Sequence, residues 1–246
     1  MKIAVTIQAR MTSTRLPGKV LMPVLNKPLL AYMIERLRRM KTTQNIVVAT
    51  TINKEDDPII ELCQQMSVPY FRGSELDVLE RVVLTCREQK IDLLVETTAD
   101  CPLIDPQVCD LVVNTYLNGH YDYVSNVLVR SYPRGMDVQV FPLNILEEVH
   151  QITTNPVDRE HVSFYIYQHP EKYRLKNILG TAHQTMPDCR LTVDTPEDFQ
   201  LIKNIIEHLY PKNPHFSIDD IMTYLRSHPE LLEMNAAIEQ KKVNYA

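Results

Sequence analysis

Short apolar runs alternating with amphipathic stretches predict an α/β fold for this 246-residue chain, with a doubly wound and mostly parallel sheet. Three observations carry that expectation. Apolar runs of strand length recur at 3–7, 45–51, 68–71 and 92–97. The stretches between them space their apolar residues as helices do. The chain is also long enough to bury one large core.

The elements follow in order. Residues 3–7 read as a buried first strand and lead into a loop that ends at Pro17-Gly18 and Lys19. Leu29, Leu30, Met33, Ile34 and Leu37 then mark one helical face, with Glu35, Arg36, Arg38 and Arg39 opposite as its solvated side. Residues 45–51 form the next strand, and Pro58 opens a helix to about 66. A short strand at 68–71 and a helix at 75–90 follow, with Ser74 placed to cap the helix. Residues 92–97 are strand, and Pro106 starts a helix to about 117, in the first-turn position that proline tolerates. From about 121 the pattern changes to shorter strands at 122–125 and 135–141, with helices near 143–151 and 159–167. A last strand is expected at 190–193. Thr195-Pro196-Glu197-Asp198 has the form of a helix cap with acids in the first turn, continued by 199–209. Another helical segment spans 217–237, and 241–246 reads as a loose tail. There is no internal repeat.

At 44% hydrophobic and 23% charged, the composition is that of an ordinary soluble protein. A formal net charge of −5 argues against nucleic acid or an anionic membrane as the main partner. Cys63, Cys86, Cys101, Cys109 and Cys189 are dispersed without a C-x-x-C pair, which suits free thiols in a reducing cytoplasm. Cys101 reads as a packing residue. No apolar run approaches membrane-spanning length, and the start of the chain lacks a signal-peptide layout, so a cytoplasmic location is expected.

Chemistry concentrates at the ends of the predicted strands. The loop after the first strand carries Arg10, Arg15 and Lys19, with Thr12, Ser13 and Thr14 as neutral donors. Arginine forks and a lysine point charge hold phosphate oxygens, and such loops are where α/β sheets place ligands. A polyphosphate site is therefore preferred to a merely solvated basic loop. Asp100 follows the strand at 92–97 and Asp194 follows that at 190–193, so both carboxylates belong at the same sheet edge. Two hard oxygen ligands suit Mg²⁺ better than Zn²⁺, although an aspartate before Pro or Thr-Pro is often only a cap. Asp105 and Asp198 read as caps.

The loop Ile7-Gln8-Ala9-Arg10-Met11-Thr12-Ser13-Thr14-Arg15-Leu16-Pro17-Gly18-Lys19 resembles the N-terminal signature of the cytidylyltransferases that activate acidic sugars, the CMP-Kdo and CMP-acylneuraminate synthetases. It is most similar to their spore-coat polysaccharide branch. The likeness continues at Phe71-Arg72-Gly73-Ser74, Asp77-Val78-Leu79-Glu80-Arg81, Asp100-Cys101-Pro102-Leu103-Ile104-Asp105, Tyr132-Pro133-Arg134-Gly135-Met136-Asp137-Val138, Arg159-Glu160-His161 and Leu191-Thr192-Val193-Asp194.

The resemblance implies a nucleotide-diphospho-sugar transferase-like fold and a Mg²⁺-dependent joining of CTP to a sugar or sugar acid for surface polysaccharide biosynthesis. It places Ala9, Arg10, Ser13, Arg15, Lys19, Arg72, Ser74, Asp77 and Arg81 around the nucleotide. Arg10, Arg15, Lys19 and Asp100 carry the catalysis, and Asp100 and Asp194 hold the metal. Arg134, Asp137, Gln139, Arg159 and His161 fall at the acceptor, with Arg159 the first choice for an acidic group. The implied organisation is one nucleotidyltransferase domain over 1–210, whose acceptor and homodimer region is 121–170, and a helical extension over 211–246. The relatives commonly have glycine where this chain has Ala99. Two alternatives stand beside this reading. One is a glycosyltransferase of related fold that uses a nucleotide-sugar, although no Asp-x-Asp motif follows an internal strand. The other is a catalytically silent nucleotide-binding protein.

Overall fold

A computed structural model describes residues 1–240 and Val243. The chain enters through β1 (Ile3–Gln8), makes the ribbon β2 (Pro23–Val24) and β3 (Lys27–Pro28), and turns into α1 (Leu29–Leu37). It then alternates through β4 (Ile46–Thr51), α2 (Asp57–Gln65), β5 (Tyr70–Gly73), α3 (Val78–Gln89), β6 (Leu93–Thr98) and α4 (Pro106–Leu117). The second half supplies β7 (Tyr123–Ser125), β8 (Gln139–Pro142), α5 (Leu143–Ile152), α6 (Pro156–Glu160), α7 (Phe164–Gln168) and β9 (Leu175–Asn177). It closes with α8 (Pro196–Leu209) and α9 (Ile218–Ser227). The tail read at 241–246 lies, apart from Val243, outside the described residues.

Seven strands share one sheet in the order β5-β4-β1-β6-β8-β7-β9. The first four are mutually parallel, and β8 runs antiparallel to both β6 and β7. The apolar runs of β1, β4 and β6 are what a parallel sheet covered on both faces requires. Their side chains divide by the strand period of two. Val5, Ile7, Leu93 and Val95 pack into a core with α1, α2, α4, α8 and α9, while Ala4, Val47 and Leu94 pack with α3 and α5. The extension past residue 210 is therefore part of the main core, through Phe216, Ile218, Ile221, Met222 and Leu225.

Several boundaries differ from expectation for local reasons. The helix α3 starts at Val78, because the Asp77 carboxylate accepts from the Glu80 N–H at 2.9 Å; Ser74 instead accepts from the Asp77 N–H at 3.0 Å. The helix expected at 159–167 is split into α6 and α7 where Val162 turns left-handed at φ 40°. The strand expected at 135–141 is confined to Gln139–Pro142. Residues 190–193 form only a bridge, Arg134 to Arg190, and 217–237 divides into α9 and the 3-10 turn Pro229–Met234. Arg36 is not solvated: it is 3% exposed, covered by chain that arrives from far away in sequence. Asp105 caps α4 as expected, and Thr195 with Asp198 forms a capping box on α8.

Gly135 holds the bridge in place. It sits at φ +97°, and a Cβ there would lie 2.4 Å from the Leu191 carbonyl oxygen. Both strain and overlap oppose any side chain. Gly135→Ala will lower stability by more than about 2 kcal/mol in urea denaturation. An unchanged midpoint would show that this backbone relaxes freely.

Candidate active site

The parallel register fixes the site. Gln8 pairs with Thr98, and the Ala99 N–H donates to the Gln8 carbonyl at 2.9 Å, so the chains leaving β1 and β6 run side by side. Buried Ala9 and Ala99 fill that seam. The loop then turns through Gly18, left-handed at φ +72°, whose N–H donates to the Met11 carbonyl at 2.9 Å. This brings Lys19 back beneath the sheet edge. Its Nζ lies 2.8 Å from Asp194 Oδ1 and 3.3 Å from Asp100 Oδ2. Arg15 reaches the same Asp194 oxygen at 3.1 Å. The Val193 N–H donates to the Asp100 carbonyl at 2.8 Å, which locks the two aspartate-bearing segments together.

Arg190 completes the cluster from behind, touching Asp194 at 3.3 Å and Asp198 at 3.0 Å. Burial alone would raise the Asp194 pKa, but Lys19, Arg15 and Arg190 outweigh it and hold the carboxyl below its ordinary value. Burial would likewise lower Lys19, and the two aspartates keep it above the ordinary range. The opposite half of the loop rests on two other acids. The Met11 N–H donates to Asp56 at 2.7 Å. Glu75 accepts from Thr12 and Asn53 and faces Arg10 at 3.8 Å. The Thr12 hydroxyl, then Asn53 and Arg10, lower its pKa.

The remaining predicted residues are mostly committed to one another. Arg72 pairs with Asp57 at 2.8 Å and donates to the Thr51 and Asn53 carbonyls. Arg81 is buried and donates to the Ser74 carbonyl at 2.5 Å; burial, then Arg10, lowers its pKa to about 10. Asp77 accepts from Arg159 at 3.1 Å, and Arg159 also donates to the Thr153 and His150 carbonyls. Asp137 is gripped by both ends of Arg130, at 2.7 and 2.9 Å. Gln139 accepts from Tyr123 and Ser163. His161 lies 4.0 Å from Glu160, beside Phe164. Ser13 is half-buried in the loop, its hydroxyl 3.4 Å from the Leu16 N–H. Arg134 differs from the other arginines. Among the described residues its guanidinium makes no hydrogen bond or ion pair, and burial, then Arg130, lowers its pKa.

Sequence reasoning missed Asp56, Glu75, Arg130, Arg190 and Glu96. Glu96 gave the least signal, as one acid inside an apolar strand run. It is 4% exposed, accepts from Gln8 Nε2 at 2.7 Å, and its Oε2 has no partner among the described residues. All five cysteines are free and buried, and Cys101 packs against Asp100 at 3.5 Å with its thiol pKa pushed well up by burial.

Asp100 and Asp194 converge on one cation, the Lys19 ammonium, so both carboxylates already face a common point where positive charge is stable. Among the described residues no third His, Cys, Asp or Glu closes a cage there. Two carboxylates with open positions fit Mg²⁺, which keeps waters and takes phosphate oxygens, better than a fully enclosed ion.

Burial drives the Glu96 pKa from 4.5 to about 7, against the pull of Ser163 and Gln8. The unfolded chain thus ionises first as pH rises, and the wild-type fold loses stability between those two values. Glu96→Gln cannot ionise. It will gain on the wild type by on the order of 3 kcal/mol from pH 4 to pH 8 in paired denaturant titrations. A pH-independent difference would show that Glu96 titrates inside the fold as it does outside.

Comparison with known proteins accords with this geometry. Residues 4–243 match the profile of the family described as Cytidylyltransferase. The chain is 34% identical over 230 residues to the spore coat polysaccharide biosynthesis protein SpsF of Bacillus subtilis, covering 91% of this chain and 94% of that protein. A cytidylyltransferase structure from Leptospira borgpetersenii superposes with a TM-score of 0.90 at 35% identity, over 98% of this chain and 100% of the other. A CMP:2-keto-3-deoxy-manno-octonic acid synthetase solved with CTP shares the fold at a TM-score of 0.65 and 17% identity, over 85% of this chain and 100% of that one. Extent and identity together settle the family: this chain belongs to the cytidylyltransferases.

Proposed function

We propose that the protein transfers the cytidylyl group of CTP to a sugar or sugar acid with release of pyrophosphate, for surface polysaccharide biosynthesis. The observation that carries the reading is the Lys19 ammonium held between Asp100 and Asp194, with Arg15 on the same carboxylate. Cations and hard oxygen anions at one sheet edge are what a metal-bound triphosphate needs. The names of relatives agree: SpsF is a spore coat polysaccharide biosynthesis protein, and the synthetase of shared fold was solved with CTP.

In this reading Arg10, Arg15 and Lys19 neutralise the triphosphate and the departing pyrophosphate. Each charge-assisted contact is worth about 3 kcal/mol in the transition state, by analogy with a lost oxyanion donor. Asp100 and Asp194 would hold Mg²⁺, which supplies charge neutralisation at the phosphates. Gly18 and the Asp56 and Glu75 contacts keep the loop in shape beforehand, so little reorganisation is needed at the moment of reaction. The acceptor oxygen attacks the α-phosphorus directly, and no nucleophilic side chain is required. Arg72, Ser74, Asp77 and Arg81 brace the wall beside the nucleotide through their contacts with one another and with backbone.

For the acceptor, Arg134 is the cation with spare donors, whereas Arg159 is occupied by Asp77 and two carbonyls. An acidic acceptor would be held by Arg134. A glycosyltransferase that uses a preformed nucleotide-sugar has no comparable use for the cationic loop.

Thermal unfolding with CTP, UTP, ATP and GTP, each with and without Mg²⁺, tests the reading. CTP with Mg²⁺ at 100 times its dissociation constant will stabilise the fold by about 2.7 kcal/mol, and the other nucleotides by little. Asp194→Asn will remove the Mg²⁺-dependent part of that response. No response to any triphosphate would remove the nucleotide assignment. Arg134→Ala will raise the KM for an acidic acceptor at least tenfold while leaving CTP binding unchanged, as read by pyrophosphate release against acceptor concentration; an unchanged KM would remove Arg134 from the acceptor pocket.

A further inference from the structure

One ammonium takes an oxygen from each of Asp100 and Asp194. Lys19 Nζ donates to Asp194 Oδ1 at 2.8 Å and to Asp100 Oδ2 at 3.3 Å. The other two oxygens are bound elsewhere. Asp100 Oδ1 accepts from the Thr98 hydroxyl at 2.5 Å, with the Cys101 thiol at 3.5 Å. Asp194 Oδ2 accepts from Arg190 Nη2 at 3.3 Å, and Arg15 Nη2 reaches Oδ1 at 3.1 Å. Every oxygen of the pair therefore has a donor from the chain itself.

Charge is balanced as well. Lys19, Arg15 and Arg190 face Asp100, Asp194 and Asp198, three cations against three carboxylates. Among the described residues Lys19 forms no ion pair with any other carboxylate. Mg²⁺ binds carboxylate oxygens at about 2.1 Å and gives up its water reluctantly. An ion held by Asp194 Oδ1 and Asp100 Oδ2 would either take the place of Nζ or lie beside it against like charge. Moving Nζ away with no anion to receive it leaves a largely buried ammonium unpaired, which is costly. A divalent cation alone therefore meets resistance at these carboxylates.

We propose that Lys19 guards the aspartate pair: without nucleotide its ammonium keeps divalent cations off Asp100 and Asp194, and a triphosphate opens the pair by drawing Nζ to its own oxygens. The inference rests on the reading of these aspartates as metal ligands and of the loop as the triphosphate site. The two ligands then assist each other. Phosphate oxygens supply the anion that Lys19 needs, and the metal supplies the positive charge that the aspartates then lack. Such coupling is reciprocal, so each ligand raises the affinity for the other by the same factor. One side chain thereby suppresses a form of the protein that holds metal without nucleotide.

Mn²⁺ is a suitable probe, titrated into the full chain without nucleotide while electron paramagnetic resonance reads the free ion. Lys19→Met will bind Mn²⁺ about tenfold or more tightly than the wild type, because the carboxylates remain and their ammonium is gone. The gain will vanish when Asp194→Asn is added to Lys19→Met. Arg10→Met removes an equal charge from the same loop, where it faces Glu75 at 3.8 Å, and will leave Mn²⁺ affinity little changed. Lys19→Gln keeps donors beside the carboxylates without the charge, and gives the same decision where Lys19→Met does not fold. Lys19 variants no tighter than the wild type, a gain that survives Asp194→Asn, or an equal gain in Arg10→Met would each overturn the proposal. Thermal stabilisation of the wild type by CTP is measured alongside. Its presence with unaltered Mn²⁺ affinity in the Lys19 variants overturns the guarding role alone, whereas its absence overturns the nucleotide reading on which that role rests.

Discussion

The site depends on one ammonium group shared by two carboxylates. Lys19 comes from the loop after β1, Asp100 from the end of β6, and Asp194 from a stretch that is not a strand at all. Their meeting ties three distant segments at a single point, 12% exposed at the Lys19 side chain. Pairs at this depth are sensitive to the loss of one member, because the survivor keeps its desolvation cost without its partner. Arg190 and Asp198 extend the pairing into the core, and Asn235 donates to Asp198 at 2.7 Å and to the Arg190 carbonyl at 3.1 Å. Gln240 accepts from Arg190 at 2.5 Å. The C-terminal extension thereby holds Arg190, and through it the orientation of Asp194.

The loop is ordered by side-chain acceptors more than by glycine. Only Gly18 within it needs a left-handed conformation. Asp56 receives the Met11 N–H, and Glu75 receives Thr12, so the backbone around Arg10 is fixed from the side opposite to Lys19. With so few glycines in the chain, this is a frame prepared before a ligand arrives, which is how electrostatic stabilisation becomes efficient. The same frame keeps its charges balanced: each loop cation already faces a carboxylate. A polyanion must compete with Asp100 and Asp194 for Lys19 and Arg15, so any positive charge that occupies the aspartates frees the loop cations for phosphate. Binding of the two charges is coupled by this arrangement.

The parallel half of the fold was legible in sequence because buried strands and amphipathic helices leave periodic marks. The caps at Asp105 and Thr195 were legible too, since their chemistry is local. Contacts between distant residues left no such mark. Arg36 occupies a polar helical position, yet Ile104 and Phe216, 68 and 180 residues away, deliver the carbonyls that bury it. Arg159 looked like a spare cation, but its Nη1 donates to Asp77, 82 residues earlier, and its other two nitrogens to the Thr153 and His150 carbonyls. Residues 190–193 have strand composition, but among the described residues they form no strand and only one β-bridge, Arg190 to Arg134. Glu96 gave no warning, because burial and the residues opposite it decide its protonation.

These differences bear on which charges around the site are spent and which are free. The arginines at 72 and 81 are spent on a neighbouring carboxylate and on backbone carbonyls, so they fix the shape of their surroundings. Asp77 and Arg159, and Arg130 and Asp137, neutralise each other in the same manner. Paired charges of this kind contribute rigidity but little net field, since each cancels its partner beyond a few ångströms. An uncancelled charge then dominates its surroundings. Among the described residues Arg134 makes no ion pair, and it is anchored by backbone bonds to Cys189 and Leu191 on the strand-like stretch that ends at Asp194. Arg134 is thus positioned by the same segment that carries Asp194, so a guanidinium without an ion pair among the described residues and the carboxylate that pairs with Lys19 lie on one stretch of chain.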